Sequence, residues 1–104
     1  MKKMYHATRY SNLGSIIDNG VVPGVDNIVY LAETKEEALR FIYIRVWDEP
    51  ILVLEVLVKE GELEETFDHN FSFFKARAWG YPEMIPWEFV TNTWAYGMDL
   101  GKNF

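Results

Sequence analysis

The run ILVLEVLVK, residues 51–59, constrains the fold of this chain more than any other segment. Its side chains are aliphatic at nearly every position and several are β-branched, a composition typical of a β-strand buried on both faces. We therefore predict a central strand from Ile51 to Lys59. Glu55 interrupts the aliphatic residues, and it either faces solvent or pairs with a basic residue.

A short helix is predicted soon after the start of the chain. Ser11 or Asn12 can cap it, because small polar side chains accept hydrogen bonds from the first amides of a helix. Gly20 lies where a left-handed C-cap is expected. Helical spacing places three apolar residues on one face of this segment: Leu13, Ile16 and Ile17.

A second helix is predicted from about Lys35 to Arg45. Thr34 and Glu37 form a capping box, in which the threonine accepts from a backbone amide and the glutamate reaches back. The later part of this segment, RFIYIRVW, is rich in β-branched and aromatic residues, so a strand is also possible there. The capping box and the Ala38-Leu39 pair favour the helix.

Shorter patterns predict the remaining elements. Residues 4–7, 27–32 and 83–91 read as strands, the last interrupted by Pro86 as at an edge or a bulge. Residues 60–70 read as an acidic loop and residues 80–82 as a turn. The aromatic stretch over residues 71–79 does not indicate which secondary structure it adopts. The tail from Asn92 can add a short strand. The order β-α-β-α-β-β predicts an α+β fold with both helices in the N-terminal half.

Length and composition limit the class of protein. A chain of 104 residues predicts a single domain over residues 1–104. The absence of cysteine excludes disulfides, thiolate zinc sites and a cysteine nucleophile, and it fits a cytoplasmic protein. No apolar run approaches the ~20 residues of a membrane span. With 10 basic and 16 acidic residues, a net charge of −6, we expect neither a nucleic acid nor a membrane as partner.

Single polar residues give weak functional signals. His6 closes a short apolar run and on its own would be a hydrogen-bonded core residue. Tyr30 on its own is a strand aromatic, and Glu83 a solvated turn carboxylate. His69 is the second histidine, and the two histidines lack the spacing of metal ligands, so no metal site is predicted.

The order of the short motifs is more informative than any one of them. Along the chain they read YHAT, NLGSII, NGVVPG, VYLA, EEALRF, ILVLEV and IPWEFV. This order resembles the ADP-ribosyltransferase-like fold, and most closely the catalytic half of the RNA 2′-phosphotransferases and the small bacterial and phage transferases related to them. The resemblance covers roughly residues 4 to 90. It implies a split β-sheet core with NAD, the substrate, held in a cleft between two small sheets.

The resemblance also implies roles for particular residues. His6 and Thr8 match the first motif, in which the histidine donates a hydrogen bond to a ribose hydroxyl of the nicotinamide side and its backbone neighbours, here Ala7, grip the nicotinamide amide. Tyr30 matches the aromatic position that stacks on the nicotinamide ring. Glu83 is the candidate catalytic residue, since a late-strand glutamate stabilises the cationic ribose as the glycosidic bond breaks.

Two arginines complete the set of candidate NAD-binding residues. Arg9 and Arg40 could meet the pyrophosphate, since a guanidinium suits phosphate geometry, or either could be a surface residue. Ala7 departs from the glycine of the family motif, and its methyl group narrows the space where backbone approaches the amide. The chain is also acidic, whereas the RNA 2′-phosphotransferases hold RNA with a basic domain and several arginines.

Three functions remain open on these residues. The first is transfer of ADP-ribose from NAD to a protein or small-molecule acceptor. The second is a catalytically inactive transferase-fold binding module, of the kind found in phages and mobile elements, that holds a nucleotide-like ligand or a partner protein. An exposed aromatic patch could serve that module, formed by Trp47, Trp79, Trp87 and Trp94. The third is an unrelated small α+β protein that happens to repeat these motifs.

Overall fold

The computed structural model describes residues 1–24, 27–43, 46, 48–66 and 78–97. Within them, two three-stranded antiparallel sheets and two short helices form an α+β domain, as the order of elements predicts. The first sheet has the order β1-β3-β6, with strands Lys2–Arg9, Ile51–Val58 and Val90–Tyr96. The second has the order β2-β5-β4, with strands Val29–Leu31, Ala78–Tyr81 and Glu64–Thr66.

Strand β3 is central, as its aliphatic composition predicts. It pairs with β1 along its whole length, from Lys2 opposite Val58 to Arg9 opposite Ile51, and its other edge pairs with β6. Both faces of the strand are buried because one packs toward the second sheet and the other toward a helix. The cluster on the first face includes Met4, Leu52, Leu54, Val56 and Val58. The cluster on the second face includes Ala32, Ala38, Val46, Ile51 and Val53.

The charged residue within β3 is paired rather than solvated. Glu55 accepts hydrogen bonds from the Tyr5 hydroxyl at 2.9 Å and the Thr91 hydroxyl at 2.8 Å, and Lys3 Nζ lies 3.8 Å away. The hydrogen bond from Thr91, followed by that from Tyr5, lowers the pKa of the Glu55 carboxyl. Of the two alternatives left open by the sequence, pairing with a basic residue is therefore the one observed.

The two sheets are joined through the backbone where β1 passes the end of β2. The Tyr5 N–H donates to the Ala32 carbonyl at 2.9 Å, and the Ala32 N–H donates back to Tyr5 at 2.8 Å. A second isolated bridge links Val21 with Ile85. Both links are reciprocal hydrogen-bonded pairs. The first fixes the register of β1 against β2, and the second holds Val21, just after the first helix, against Ile85.

The first helix, α1, runs from Leu13 to Asn19 after a 3-10 turn at Tyr10–Asn12. Asn12 is its N-cap residue, but its side chain makes no capping hydrogen bond and instead donates to the Thr8 hydroxyl at 2.8 Å. Ile16 is buried, whereas Ile17 is 46% exposed, so the predicted apolar face is narrower than its sequence suggests. The helix is two turns long, too short to cover more than the residues nearest Ile16.

The second helix, α2, runs from Lys35 to Tyr43. Over that range the segment is therefore helical, and the alternative of a strand is wrong. The Thr34 hydroxyl accepts from the Glu37 N–H at 3.1 Å, which is the first half of the predicted capping box. The helix packs on β1 and β3 through Ala38, Leu39 and neighbouring apolar residues. The predicted end at Arg45 lies outside the described residues.

The second half of the chain departs from its predicted elements. Strand β4, Glu64–Thr66, lies in the segment predicted as a loop, and Gly80 and Tyr81 belong to β5 rather than to a turn. The predicted strand over residues 83–91 is wrong: it contains the Ile85 bridge and a 3-10 turn at Trp87–Phe89, and the strand begins only at Val90. Pro86 lacks a backbone donor and interrupts pairing there, so the ladder starts beyond it.

The backbone conformation of Gly20 and the atoms around it leave no room for a side chain. Its φ is 80°, and a Cβ built on it would lie 2.6 Å from the Ile85 carbonyl oxygen and 2.7 Å from Met84 Sδ. We expect Gly20→Ala to lower the free energy of unfolding by about 1–3 kcal/mol, measured by urea denaturation. Gly14→Ala is the matched control, since a Cβ there meets nothing within 4 Å. Equal stability of the two variants would contradict this account of Gly20.

Candidate functional site

A cavity of about 320 Å³ lies where β1, β2 and α2 meet. It borders the backbone junction between Tyr5 and Ala32, so the same contact that joins the sheets also shapes the cavity. Five of the residues predicted to bind NAD line it: His6, Ala7, Thr8, Arg9 and Tyr30. They come from strands of different sheets and are brought together only by the fold.

His6 is hydrogen-bonded across the junction between the sheets. Its Nδ1 lies 2.9 Å from the Tyr30 carbonyl oxygen. A carbonyl can only accept, so we assign the proton to Nδ1. Burial lowers the pKa of His6, and the hydrogen bond to Tyr30 opposes this shift in part. The ring is therefore neutral at pH 7, and its Nε2 acts as a hydrogen-bond acceptor.

Thr8 presents a hydroxyl group to the same cavity. Its Oγ1 accepts from the Asn12 side chain at 2.8 Å, and the hydroxyl proton can point to a further acceptor. Asn12 also lines the cavity. The sequence indicated Asn12 only as a helix cap, because nothing local reveals that the 3-10 turn after β1 folds its amide back onto Thr8.

Tyr30 exposes an aromatic side chain between two buried neighbours. The side chain is 40% exposed, whereas Val29 and Leu31 are each 2% exposed. Strand alternation explains the contrast, since Val29 and Leu31 point into the core and Tyr30 points to the opposite face. That face borders the cavity, where the ring can pack against a planar ligand.

The far wall of the cavity is apolar and was not predicted as part of a site. It is formed by side chains of α2, the residues after it and the start of β5, namely Ala38, Phe41, Ile42, Val46 and Ala78. Helical spacing indicates an apolar face on α2, but it does not say which parts of that face remain open after packing. Ala7 also packs on the α2 side, so its methyl group lies against the helix.

Arg9 lines the cavity but is engaged by carboxylates. Its Nη1 lies 2.9 Å from Glu49 Oε2 and 3.7 Å from Asp48 Oδ1. The other oxygen of Glu49 accepts from the Ser11 hydroxyl at 2.9 Å. The hydrogen bond from Arg9, and then that from Ser11, lowers the pKa of the Glu49 carboxyl, so this group is ionised at neutral pH.

Glu83, the predicted catalytic residue, lies elsewhere. It borders a second cavity of about 320 Å³ together with Lys59 and Tyr81. Its carboxylate is 3.6 Å from Lys59 Nζ and accepts from the Tyr81 hydroxyl at 3.4 Å. Lys59 follows β3, five residues after Leu54, which is the pairing partner of His6. The backbones of Leu54 and Lys59 are therefore about 16 Å apart along the strand.

A hydrogen bond from the Glu62 carboxyl is the main cause that lowers the pKa of Glu83. Glu83 therefore acts in a local cluster with Glu62, Lys59 and Tyr81 at the far end of β3. Arg40, the other predicted phosphate ligand, is exposed on α2 and is not among the residues lining the first cavity. Within the described part of the chain, the lining of the first cavity includes no carboxylate.

The tryptophans do not form an exposed patch in the part of the chain that can be described. Trp79, Trp87 and Trp94 are each half-buried. Trp94 packs against Tyr5 with ring centroids 6.1 Å apart, and Lys35 Nζ lies 4.5 Å from the Trp94 ring centroid. Trp79 donates from its indole nitrogen to Glu33 at 3.2 Å. Trp47 lies outside the described residues.

Comparisons with known proteins add no identity. No protein-family model matches the chain, and no curated protein matches it in sequence. Among the described helices, none is long and apolar enough to cross a membrane.

The lowered pKa of His6 predicts a pH-dependent stability. The unfolded histidine binds a proton near its ordinary pKa of 6.5, and the folded one only at lower pH. Between those values the unfolded chain holds more protons, so the free energy of unfolding falls as the pH drops below about 6.5. We expect urea unfolding between pH 7.5 and 5.5 to show this loss in the wild type.

His6→Asn is the matched variant for that measurement, because its amide can still donate to the Tyr30 carbonyl but does not titrate. We expect its stability to be flatter over the same pH range. Glu49 and Glu55 also have lowered pKa values, so their contributions to stability are lost below their ordinary pKa of 4.5. Both proteins contain these two carboxylates. Identical slopes for wild type and variant would rule out the buried neutral state of His6.

Proposed function

We propose that this chain is an ADP-ribosyltransferase-like protein that binds NAD, or a closely related nucleotide, in the cavity between β1, β2 and α2. One observation carries the proposal. His6 and Thr8 match one binding motif of the family resemblance, Tyr30 matches the other more than 20 residues later, and all three line one cavity. A chance repeat of short motifs would give no reason for them to converge.

The chemistry of the lining suits the nicotinamide–ribose part of NAD. The Tyr30 ring and the apolar α2 wall offer contact to a planar aromatic base. The neutral His6 ring accepts at Nε2, so a ribose hydroxyl would donate to it rather than accept from it. The Thr8 hydroxyl can then serve a second ribose or amide group. A volume of about 320 Å³ lies at the lower end of small-molecule sites, which fits part of a dinucleotide.

The arrangement of the sheets is compatible with the same assignment. Two small antiparallel sheets meet at the Tyr5–Ala32 junction, and the cavity opens beside it. This supports a split-sheet transferase core as the finer description of the fold. The net charge of −6 favours a protein or small-molecule partner over RNA.

Between transfer and binding alone, a specific observation favours a binding module. Cleavage of the nicotinamide glycosidic bond develops positive charge on the ribose, and a nearby carboxylate would stabilise it. Glu83 is paired with Lys59, whose backbone lies about 16 Å along β3 from Leu54, the pairing partner of His6. No carboxylate lines the first cavity among the described residues. We therefore propose NAD binding as the function and leave transfer to a direct assay.

Calorimetric titration with NAD tests the binding proposal. Loss of ring packing in Tyr30→Ala should weaken NAD binding by about 2- to 10-fold, whereas Tyr30→Phe should retain it. His6→Ala removes a neutral hydrogen bond and should cost a similar factor. Tyr43→Ala is the matched control, since Tyr43 is an exposed tyrosine of α2 that does not line the cavity. Absence of binding at millimolar NAD would overturn the proposal.

Release of nicotinamide from NAD tests the part assigned to Glu83. We expect Glu83→Gln to leave the rate of release at the wild-type level, whatever that level is, because its carboxylate faces Lys59 and Tyr81 instead of the cavity. Chromatographic quantification of nicotinamide, with folding checked by circular dichroism, gives the comparison. A variant that binds NAD but loses release would restore Glu83 as the catalytic residue.

A further inference from the structure

The mouth of the first cavity carries an ion-paired cluster that the proposed function does not use. Arg9 is, apart from the neutral His6, the one basic residue in the described lining. Its guanidinium faces two carboxylates, Glu49 at 2.9 Å and Asp48 at 3.7 Å. One positive charge of the cavity lining therefore meets two negative ones.

The cluster is built on fixed backbone. Arg9 pairs with Ile51 at the end of the β1–β3 ladder, and the Tyr10 N–H donates to the Pro50 carbonyl at 2.9 Å. These bonds tie the segment that carries Asp48 and Glu49 to the end of β1. The carboxylates thus reach Arg9 from a neighbouring segment that is held in register with it.

Glu49 is engaged at both of its oxygens. One accepts from Arg9 and the other accepts from Ser11 Oγ at 2.9 Å. Its side chain is 28% exposed, against 72% for Asp48 and 44% for Arg9. Glu49 is therefore the better-held partner, and Asp48 adds charge from a more solvated position.

We propose that Glu49, assisted by Asp48, holds Arg9 away from phosphate, so that the cavity recognises the base and ribose of its ligand and disfavours its anionic groups. The inference rests on the proposed function. The ligand class it names is a nucleoside with a neutral or cationic base, such as nicotinamide riboside, whose pyridinium ring carries a positive charge. A pyrophosphate, with two negative charges, would have to approach Arg9 against the negative charges of Glu49 and Asp48.

Titration of wild type and Glu49→Gln with nicotinamide riboside and with NAD tests this inference. The wild type should bind the riboside at least as tightly as NAD. Removing the negative charge beside Arg9 should shift the ratio of the two affinities toward NAD by about fivefold. Asp48→Asn should shift it in the same direction by less, and its exposed side chain makes it a second variant that keeps the fold intact.

Glu60→Gln is the control for overall charge, since Glu60 is exposed beyond the other end of β3. It should leave the affinity ratio unchanged, and raising the salt concentration should reduce the difference between Glu49→Gln and wild type. NAD binding at least tenfold tighter than riboside binding in the wild type, with no change of ratio in Glu49→Gln, would overturn the inference and leave NAD binding standing. Absence of NAD binding at millimolar concentration would instead overturn the proposed function, and the inference with it.

Discussion

The two backbone hydrogen bonds between Tyr5 and Ala32 are the contact on which the arrangement of this domain depends. They bring a strand of the first sheet alongside the end of a strand of the second. His6 follows Tyr5 and Tyr30 lies two residues before Ala32, and the histidine ring completes the junction by donating a hydrogen bond to the Tyr30 carbonyl at 2.9 Å. The position of the cavity follows from that junction, because it opens between the strands that the junction brings together.

Burial of β3 on both faces provides the stability that holds the junction in place. Its residues are nearly all inaccessible to solvent, and each face contributes to a separate hydrophobic cluster. One cluster fills the space between the sheets, and the other binds α2 to the first sheet. Because α2 supplies the apolar wall of the cavity, the packing that places this helix on the first sheet also shapes the site.

Charge is distributed so that the interior of the site stays neutral. Burial keeps the His6 ring unprotonated, and the Arg9 guanidinium is matched by Glu49 and Asp48 at the mouth. Glu55 and Glu83 are each paired within their own clusters, and neither is among the residues that line the cavity. A ligand entering the cavity therefore meets hydrogen-bonding and aromatic groups first, and recognition would depend on shape and hydrogen bonds more than on net attraction.

Local patterns in the sequence determined the elements whose signals are themselves local. The aliphatic run predicted the central β3, the capping box predicted α2, and the order of elements predicted an α+β fold. The same signals failed after residue 60 for β4 and β5, strands of three and four residues that are defined by their partners. Gly80 and Tyr81 read as a turn, but both pair with β2 and Gly80 also pairs with β4. Of β6, the sequence predicted the part from Asn92 but not the start at Val90. Strand pairing between distant segments leaves little trace in either segment alone.

The candidate site was likewise predicted in part from the sequence and completed only by the tertiary structure. The resemblance and the chemistry of arginine predicted one site, and five of its residues line one cavity whereas Arg40 and Glu83 do not: His6, Ala7, Thr8, Arg9 and Tyr30. Only the tertiary structure decided that Asn12 folds onto Thr8, that Arg9 is held by Asp48 and Glu49, and that Glu83 belongs to a different cavity. Residue types show what chemistry a side chain can perform, but distances between segments remote in sequence arise only when the sheets and helices pack together.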